Sequence, residues 1–293
     1  MRIAFVGLPL AALLLAEDGH EIVWAGICRR EAIDSRRLRA RLGARAPFVP
    51  DLAKRVEEVR ALAPDLVVSW FWTKKIPRAF REIAPLGAIG VHPSLLPRHR
   101  GPDPYYWAVA SGDEETGVTA HVLEDEYDTG ALLGARRLRI DPEWSAWTLA
   151  KRLDRPSLAL LREVVGAYAR GEPPEPRPQD EALATEAPEP SEDDLELRWT
   201  GSAEEIVRRV RAAAPHPGAF TEIAGSVVVV TRAAVARRFP KALAPGEAAV
   251  GDDGVAIVRA GEGAVALLAG RLEDDDDREL DAAELARLVA DRR

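Results

Sequence analysis

Four short apolar runs among the first 92 residues constrain the fold more than any other feature of this sequence. The runs are Arg2 to Val6, Glu21 to Ile27, Asp65 to Trp70 and Ala88 to His92, and stretches with helical spacing separate them. Short, nearly uninterrupted apolar runs are typical of strands buried on both faces, and their alternation with helices predicts a mostly parallel, open α/β sheet. Ligands of such sheets bind beyond the carboxyl ends of the strands, and His92 stands at one of these ends.

Two more strand patterns and a long amphipathic helix follow the four runs. Strands are predicted at Gly117 to Leu123 and within Ala131 to Ile140, and a helix is predicted at Trp144 to Arg170 with an interruption near Pro156. The composition then changes, because residues 171–197 are rich in proline and acidic residues and poor in large apolar ones. Such a stretch is typical of a linker or an extended crossover.

The C-terminal part of the chain carries a different pattern. A helix is predicted at Ser202 to Ala214, where Ser202 and Glu205 form the sequence signature of a capping box. Short β-type runs separated by glycine and aspartate follow, and a final helix begins at Asp281, which together predict a small β-barrel domain. The 293 residues are therefore divided into an α/β domain, a linker and a barrel domain, at 1–170, 171–197 and 198–293.

Composition and charge argue against several classes of protein. Apolar residues make up 47% of the chain and charged residues 30%, which is globular composition, and no run approaches the roughly 20 apolar residues of a membrane span. Leu8 to Ala16 is therefore interpreted as a buried helix rather than a signal peptide. The net charge of −8 argues against a protein built mainly to hold nucleic acid. The single cysteine, Cys28, excludes an internal disulfide and fits a cytoplasmic protein.

His92 and Asp128 are candidate catalytic residues on chemical grounds. His92 follows a buried strand and precedes a proline-bounded loop, and Asp128 lies in the turn sequence EYDTG. A histidine held by a carboxylate acts as a general acid or base near neutral pH, because the carboxylate fixes the ring and favours its charged form. These residues alone do not decide the pairing, since a single histidine at a strand end is more often structural.

The segment that begins at His92 resembles a known family. Residues 92–119, HPSLLPRHRGPDPYYWAVASGDEETGVT, are similar to the central motif of 10-formyltetrahydrofolate-dependent formyltransferases. In that family a histidine opens an SLLP loop and a D-x-G turn, here Asp128 to Gly130, closes the motif. The segments RRVRAAAPHPGAFTEI and PQDEALATEAP, together with Trp199, extend the resemblance to methionyl-tRNA formyltransferases over nearly the whole chain. The resemblance implies a Rossmann-like formyltransferase domain followed by an OB-like β-barrel.

The resemblance also assigns roles to residues of this chain. In the family an amine attacks a formyl group carried by folate. The resemblance implies that His92 transfers the proton and stabilises the developing oxyanion, and that Asp128 orients His92. Folate contacts are expected from Trp70, Phe71, Trp72, Ile76, Ser94, Leu95, Leu96, Pro97 and Tyr127, although at least two of the three consecutive aromatic residues also suit a core. Substrate contacts are expected from Arg98, Arg100 and Gly101, and no metal is needed.

Gly90 is the most informative departure from the family, which has an asparagine two residues before the histidine. An asparagine amide donates a hydrogen bond to the developing oxyanion, and the loss of such a donor costs about 10²–10³ in turnover, or ~3–4 kcal/mol. Three interpretations follow. Another donor compensates, the enzyme is slow, or the chain keeps the fold and binds a folate or nucleotide without transferring a formyl group.

The acceptor amine has two candidate classes, an aminoacyl-tRNA and a nucleotide-linked amino sugar. A cluster of arginines could bind the phosphates of a tRNA, although such a cluster is explained more simply as the solvated face of a helix. The cluster consists of Arg29, Arg30, Arg36, Arg37, Arg39 and Arg41. The acidic linker argues against tRNA, because Glu189 stands where the resembling tRNA enzymes carry a lysine. The sequence therefore predicts a folate-dependent formyltransferase and leaves its acceptor open.

Overall fold

The structure, a computed structural model, describes residues 1–223, 225–275 and 278–290, and its contacts divide the chain into two units. The first unit comprises residues 1–102, 116–139 and 152–188, and the second comprises residues 103–115, 140–151 and the described residues from 189 onward. The predicted linker 171–197 is thus shared between the two units. Residues 224, 276–277 and 291–293 of the predicted barrel domain lie outside the described residues.

A six-stranded sheet forms the centre of the first unit. Its strands are β1 (Arg2–Gly7), β2 (Glu21–Ile27), β3 (Leu66–Trp70), β4 (Ala88–His92), β5 (Glu115–Val122) and β6 (Leu132–Arg139). The strand order is β2-β1-β3-β4-β5-β6. The first four strands, which are the four apolar runs, pair in parallel, whereas β5 pairs antiparallel with β4. The prediction of a mostly parallel, Rossmann-like sheet is confirmed.

A buried core packs helices on this sheet. The helices up to residue 169 are α1 (Pro9–Glu17), α2 (Ser35–Leu42), α3 (Val56–Arg60), α4 (Arg78–Arg81), α5 (Pro104–Ala110) and α6 (Ala146–Ala169), of which α5 and the first residues of α6 are assigned to the second unit. One core cluster packs Val67 of β3 with Val59 of α3 and Phe80 of α4, all fully buried. Full burial of each such side chain contributes about 1.5–3 kcal/mol, so α3 and α4 are held to the sheet by apolar contact.

Helix α6 runs without a break through Pro156, so the predicted interruption is wrong. Leu153 before the proline and Leu160 after it are both buried, and they keep the two halves of the helix on one packed face. The burial of these side chains offsets the missing backbone donor, which costs a helix about 3 kcal/mol.

The second unit contains an antiparallel sheet. Its strands are β7 (Ala219–Ile223), β8 (Ser226–Val235), β9 (Ala248–Val250), β10 (Ala256–Arg259), β11 (Ala264–Leu272) and β12 (Leu280–Asp281). Their order is β7-β8-β11-β10-β9, with β12 also paired to β11, and the sheet curls into a half-barrel that confirms the OB-like β domain. Its helices are α7 (Glu192–Leu195), α8 (Ala203–Ala213) and α9 (Ala282–Ala290). The capping box of Ser202 and Glu205 is present at the start of α8.

The parallel strands bring two predicted site segments to the same edge of the first sheet. Trp70 at the end of β3 pairs with Val91 of β4, so the residues after Trp70 begin next to His92. On its other side Trp70 pairs with Gly7, where an added Cβ would lie 1.8 Å from the Trp70 carbonyl oxygen. Gly7 has φ +136°, and it lets the β1 and β3 backbones approach at this edge. Among the described residues, no helix is long and apolar enough to cross a membrane.

Candidate active site

The carboxylate of Asp128 lies between two buried histidine rings. Its Oδ2 is 3.4 Å from His92 Nδ1, and its Oδ1 is 3.5 Å from His121 Nε2. The backbone N–H of Gly101 donates a hydrogen bond to Oδ2 at 3.0 Å. The side chains of His92 and His121 are 7% and 3% exposed, and that of Asp128 is 16% exposed. The structure therefore brings the two predicted catalytic residues together and adds a second histidine.

The pairing of β4 with β5 places both rings on one face of the sheet. Gly90 lies directly opposite His121, and His92 lies opposite Thr119. Side chains alternate along a strand, and residues directly opposite each other in an antiparallel pair project from the same face. Gly90, His92 and His121 consequently share the face that meets Asp128.

The turn that carries Asp128 is held from two directions. Asp128 adopts a left-handed backbone, with φ +56°, which aspartate tolerates better than most residues. The side-chain amide of Gln179 donates to the carbonyls of Asp128 and Gly130, both at 2.7 Å. At Gly130 an added Cβ would lie 1.9 Å from the Val122 carbonyl oxygen, so glycine is required where the turn meets β5.

The loop of residues 93–101 folds back over His92. The Thr119 hydroxyl donates to the Ser94 carbonyl at 2.7 Å and accepts from the Leu96 N–H at 3.1 Å, which ties the loop to β5. The carbonyl oxygen of His99 lies 2.8 Å from His92 Nε2. Each ring nitrogen of His92 thus faces an oxygen, and the ring donates to both oxygens when both nitrogens carry protons.

The ring of His121 is neutral because it is buried. Burial, which disfavours the charged ring, lowers the pKa of His121 to about 4; the Asp128 carboxylate opposes this shift and a charged His92 adds to it. His121 Nδ1 lies 2.9 Å from the Val122 carbonyl oxygen, so the neutral ring carries its proton on Nδ1. The negative charge of Asp128 is therefore available to His92.

Arg100 links the loop to the Asp128 turn. Its guanidinium donates to Gln179 Oε1 at 2.7 and 3.1 Å and to both carboxylate oxygens of Glu181 at 2.7 and 2.8 Å. The Arg100 side chain is 5% exposed, and two-point pairing of this kind fixes orientation as well as distance. Of the other residues predicted to contact substrate, Gly101 donates to Asp128 and Arg98 is exposed.

The segment after β3 combines core residues with an unpaired donor. Trp70 is buried and donates from Nε1 to the Ser157 hydroxyl at 2.8 Å, and Ile76 belongs to the core cluster. Phe71 is half-buried with φ +54°, a strained conformation for a bulky residue. Trp72 Nε1 is buried, and no atom of the described residues accepts its hydrogen. Because an unsatisfied buried donor is costly, Trp72 suits contact with a ligand acceptor.

The remaining predicted contacts differ in exposure. Ser94 and Leu96 are buried, Leu95 and Pro97 are half-buried, and Tyr127 is 54% exposed next to Asp128.

Among the described residues, no group of three or more His, Cys, Asp or Glu side chains is arranged to hold a metal ion.

Three residues of the site, His121, Gln179 and Thr119, were not predicted from the sequence. His121 had one usable signal, a histidine within a predicted strand, but the register with β4 was needed to place it opposite Gly90. Gln179 lies in the proline-rich acidic stretch that was predicted to be a linker, where no strand or helix pattern indicated that it would meet Asp128.

Comparison with known proteins decides the family. Residues 39–165 match the formyl transferase model, and residues 191–288 match the model of the formyl transferase C-terminal domain. The chain belongs to the formyl transferase family. The methionyl-tRNA formyltransferase of Myxococcus xanthus (strain DK1622) is 38% identical over 214 residues, which are 72% of this chain and 67% of that enzyme. The chain is therefore a formyl-transferring enzyme by descent, and its predicted family is confirmed.

Solved structures share the fold at lower identity. HypX from Aquifex aeolicus in complex with tetrahydrofolic acid is 21% identical with a TM-score of 0.68, and the match covers 100% of this chain and 47% of HypX. This chain thus spans about half the length of HypX. An N-formyltransferase from Helicobacter canadensis, solved with folinic acid and dTDP-3-aminofucose, is 12% identical with a TM-score of 0.69, covering 90% of this chain and 98% of that one.

Proposed function

We propose that this chain transfers the formyl group of 10-formyltetrahydrofolate to a primary amine at the site of His92 and Asp128. The observation that carries this proposal is the half-buried Asp128 carboxylate, whose Oδ2 lies 3.4 Å from His92 Nδ1, in a chain of the formyl transferase family. When bound, the folate supplies the formyl group. We assign its binding to the edge formed by β3 and β4, where Trp72 has an unpaired buried N–H and Leu95 is half-buried.

His92 has the contacts that proton transfer from an amine requires. An amine that becomes an amide loses a proton, and a positioned imidazole accelerates such a transfer about 10²–10⁴-fold. His92 Nδ1 faces Asp128, so we assign the proton exchange to Nε2, which must give up its 2.8 Å contact with the His99 carbonyl before it can accept a proton from the amine. Asp128 stabilises the charged ring that results.

We assign Arg100 a positioning role rather than a contact with substrate. Its guanidinium is buried and paired with Gln179 and Glu181, and Gln179 in turn holds the Asp128 turn. Arg98 is exposed on the same loop and remains our candidate for a contact with the acceptor. The division into a catalytic domain 1–170, a linker 171–197 and a barrel domain 198–293 also remains a proposal.

Methionyl-tRNA is the acceptor that we favour over a nucleotide-linked amino sugar. A named methionyl-tRNA formyltransferase is 38% identical to this chain, whereas the Helicobacter canadensis enzyme is similar in fold alone. All six arginines of the cluster from Arg29 to Arg41 are exposed, and four of them lie in α2. Exposed arginines are the groups that bind phosphates by releasing counterions.

His92→Ala and Asp128→Asn test the proposed reaction. Incubation of the wild-type chain with 10-formyltetrahydrofolate and methionyl-tRNA should give formylated product, measured by mass spectrometry. We expect each variant to lose about 10²–10⁴ in kcat, because the proton acceptor or its stabilising charge is removed. Glu126→Gln is the control, since Glu126 is an exposed carboxylate two residues before Asp128 and is not assigned a role in the reaction. If the wild-type chain formylates neither methionyl-tRNA nor a nucleotide-linked amino sugar, the proposal is contradicted.

Gly90→Asn tests whether the missing amide limits turnover. An added Cβ at position 90 would lie 3.1 Å from Leu123 Cδ2, the end of a flexible side chain, so the asparagine fits after a small shift. The side-chain amide already at the site, that of Gln179, donates to two carbonyls. We therefore expect Gly90→Asn to raise kcat about 10–100-fold relative to Gly90→Ala, which adds the Cβ without the amide. Equal rates for the two variants would mean that another donor compensates.

Charge reversal in α2 tests the tRNA acceptor. We expect the double variant Arg36→Glu, Arg39→Glu to weaken a gel shift with initiator methionyl-tRNA and to reduce the slope of log K against log salt by about 2. The matched control is Arg152→Glu, Arg155→Glu, two exposed arginines of α6 outside the cluster. If the wild-type chain gives no gel shift with methionyl-tRNA at low salt, tRNA is excluded as the acceptor and the nucleotide-linked amino sugar is favoured.

A further inference from the structure

Ser69 places a hydroxyl on the sheet face that carries Gly90 and His92. In the register of the parallel strands, Ser69 of β3 lies directly opposite Gly90 of β4. A Cβ built at Gly90 would lie 3.6 Å from Ser69 Cβ, so the two positions project from the same face. Gly90 and His92 share that face because they are two residues apart in one strand. The Ser69 hydroxyl therefore lies beside the position of the side chain that Gly90 lacks.

The Ser69 hydroxyl is available to a ligand. No atom of the described residues forms a hydrogen bond with it, and its cross-strand neighbours Val6 and Gly90 have no polar side-chain group. Ser69 interrupts the apolar run of β3 and is 8% exposed. Polar side chains inside proteins are usually paired, so a serine hydroxyl without a protein partner in a buried strand indicates contact with water or a ligand.

The space beside Ser69 lies on the face that we assign to folate binding. Val67 and Ala88, which stand two positions before Ser69 and Gly90, belong to the core cluster, and Trp72 packs against that cluster. The Ser69 hydroxyl and the unpaired Trp72 N–H are consequently on the same side of the sheet. An asparagine at position 90 would carry its amide into this space, which the Ser69 hydroxyl already borders.

We propose that Ser69 is a further catalytic residue, whose hydroxyl donates a hydrogen bond to the developing oxyanion in place of the amide that is missing at Gly90. The inference rests on the proposed formyl transfer. The hydroxyl donates a hydrogen bond and keeps its own proton, so the proton of the amine still leaves through His92. A donor directed at the charge that develops in a transition state is worth about 10²–10³ in turnover.

Ser69→Ala and Ser69→Thr separate the hydroxyl from the shape of the side chain. We expect kcat to fall about 10²-fold in Ser69→Ala with an unchanged KM for 10-formyltetrahydrofolate, because the donor acts in the transition state. Ser69→Thr keeps the hydroxyl and should retain most of the wild-type kcat. Ser35→Ala is the matched control, since Ser35 of α2 is another buried serine whose hydroxyl has no partner among the described residues. A wild-type kcat in Ser69→Ala would overturn the proposal.

A Gly90→Asn background tests whether the two donors serve the same atom. When Gly90→Asn is also present, we expect Ser69→Ala to change kcat by about twofold at most, since the amide then supplies the hydrogen bond and the two effects are not additive. The methyl group of Gly90→Ala would instead occupy part of the space beside Ser69 without supplying a donor. An equal loss from Ser69→Ala in the Gly90 and Gly90→Asn backgrounds would contradict the shared role.

Binding of a stable mimic supplies a readout that does not need turnover. A folate analogue with a trifluoroacetyl group in place of the formyl group hydrates to a tetrahedral diol, whereas tetrahydrofolate has no group at this position. By calorimetry we expect Ser69→Ala to bind the analogue about tenfold more weakly than the wild-type chain and to bind tetrahydrofolate equally well. Equal binding of the analogue by both chains, or an equal loss for both ligands, would overturn the proposal for Ser69. Absence of turnover in a wild-type chain that shows the expected difference would contradict the formyl-transfer proposal alone.

Discussion

The negative charge of Asp128, whose side chain is only 16% exposed, is the constraint on which the rest of the site depends. A carboxylate that is largely removed from water is costly unless neighbouring groups compensate it, and here the compensation comes from the His92 ring and the Gly101 N–H. The neutral ring of His121 occupies the remaining side. This arrangement directs the charge at one nitrogen of His92, which is what proton transfer by that ring needs.

Holding this charge in place requires contacts between segments that are far apart in sequence. Arg100 from the loop after β4 meets Gln179 and Glu181, and Gln179 closes the turn at Asp128. Residues 171–188 therefore act as part of the first unit, although their composition is that of a linker. The Glu181 side chain is mostly exposed, so its pairing with Arg100 fixes the orientation of the guanidinium and does not form a buried ion pair.

The sequence predicted the sheet well because each buried strand is a short apolar run bounded by polar residues, and it predicted His92 and Asp128 because a motif carries them. It did not indicate His121 as a site residue, since the contact depends on the register between β4 and β5. The family resemblance implied that Arg100 contacts substrate, and the burial of this arginine and its pairing with Glu181 could not be read from its place in a loop. The break near Pro156 was wrong because the packed face of α6 outweighs the local cost of the proline.

The central claim is that the formyl group is transferred next to His92 under the control of Asp128. A crystal structure with a folate whose formyl group cannot be transferred would test it most directly. The account predicts the formyl carbon at the β3 and β4 edge, with the attacking position within about 3.5 Å of His92 Nε2 and Asp128 still facing Nδ1. A folate bound away from this edge, or a formyl group beyond the reach of His92, would contradict it.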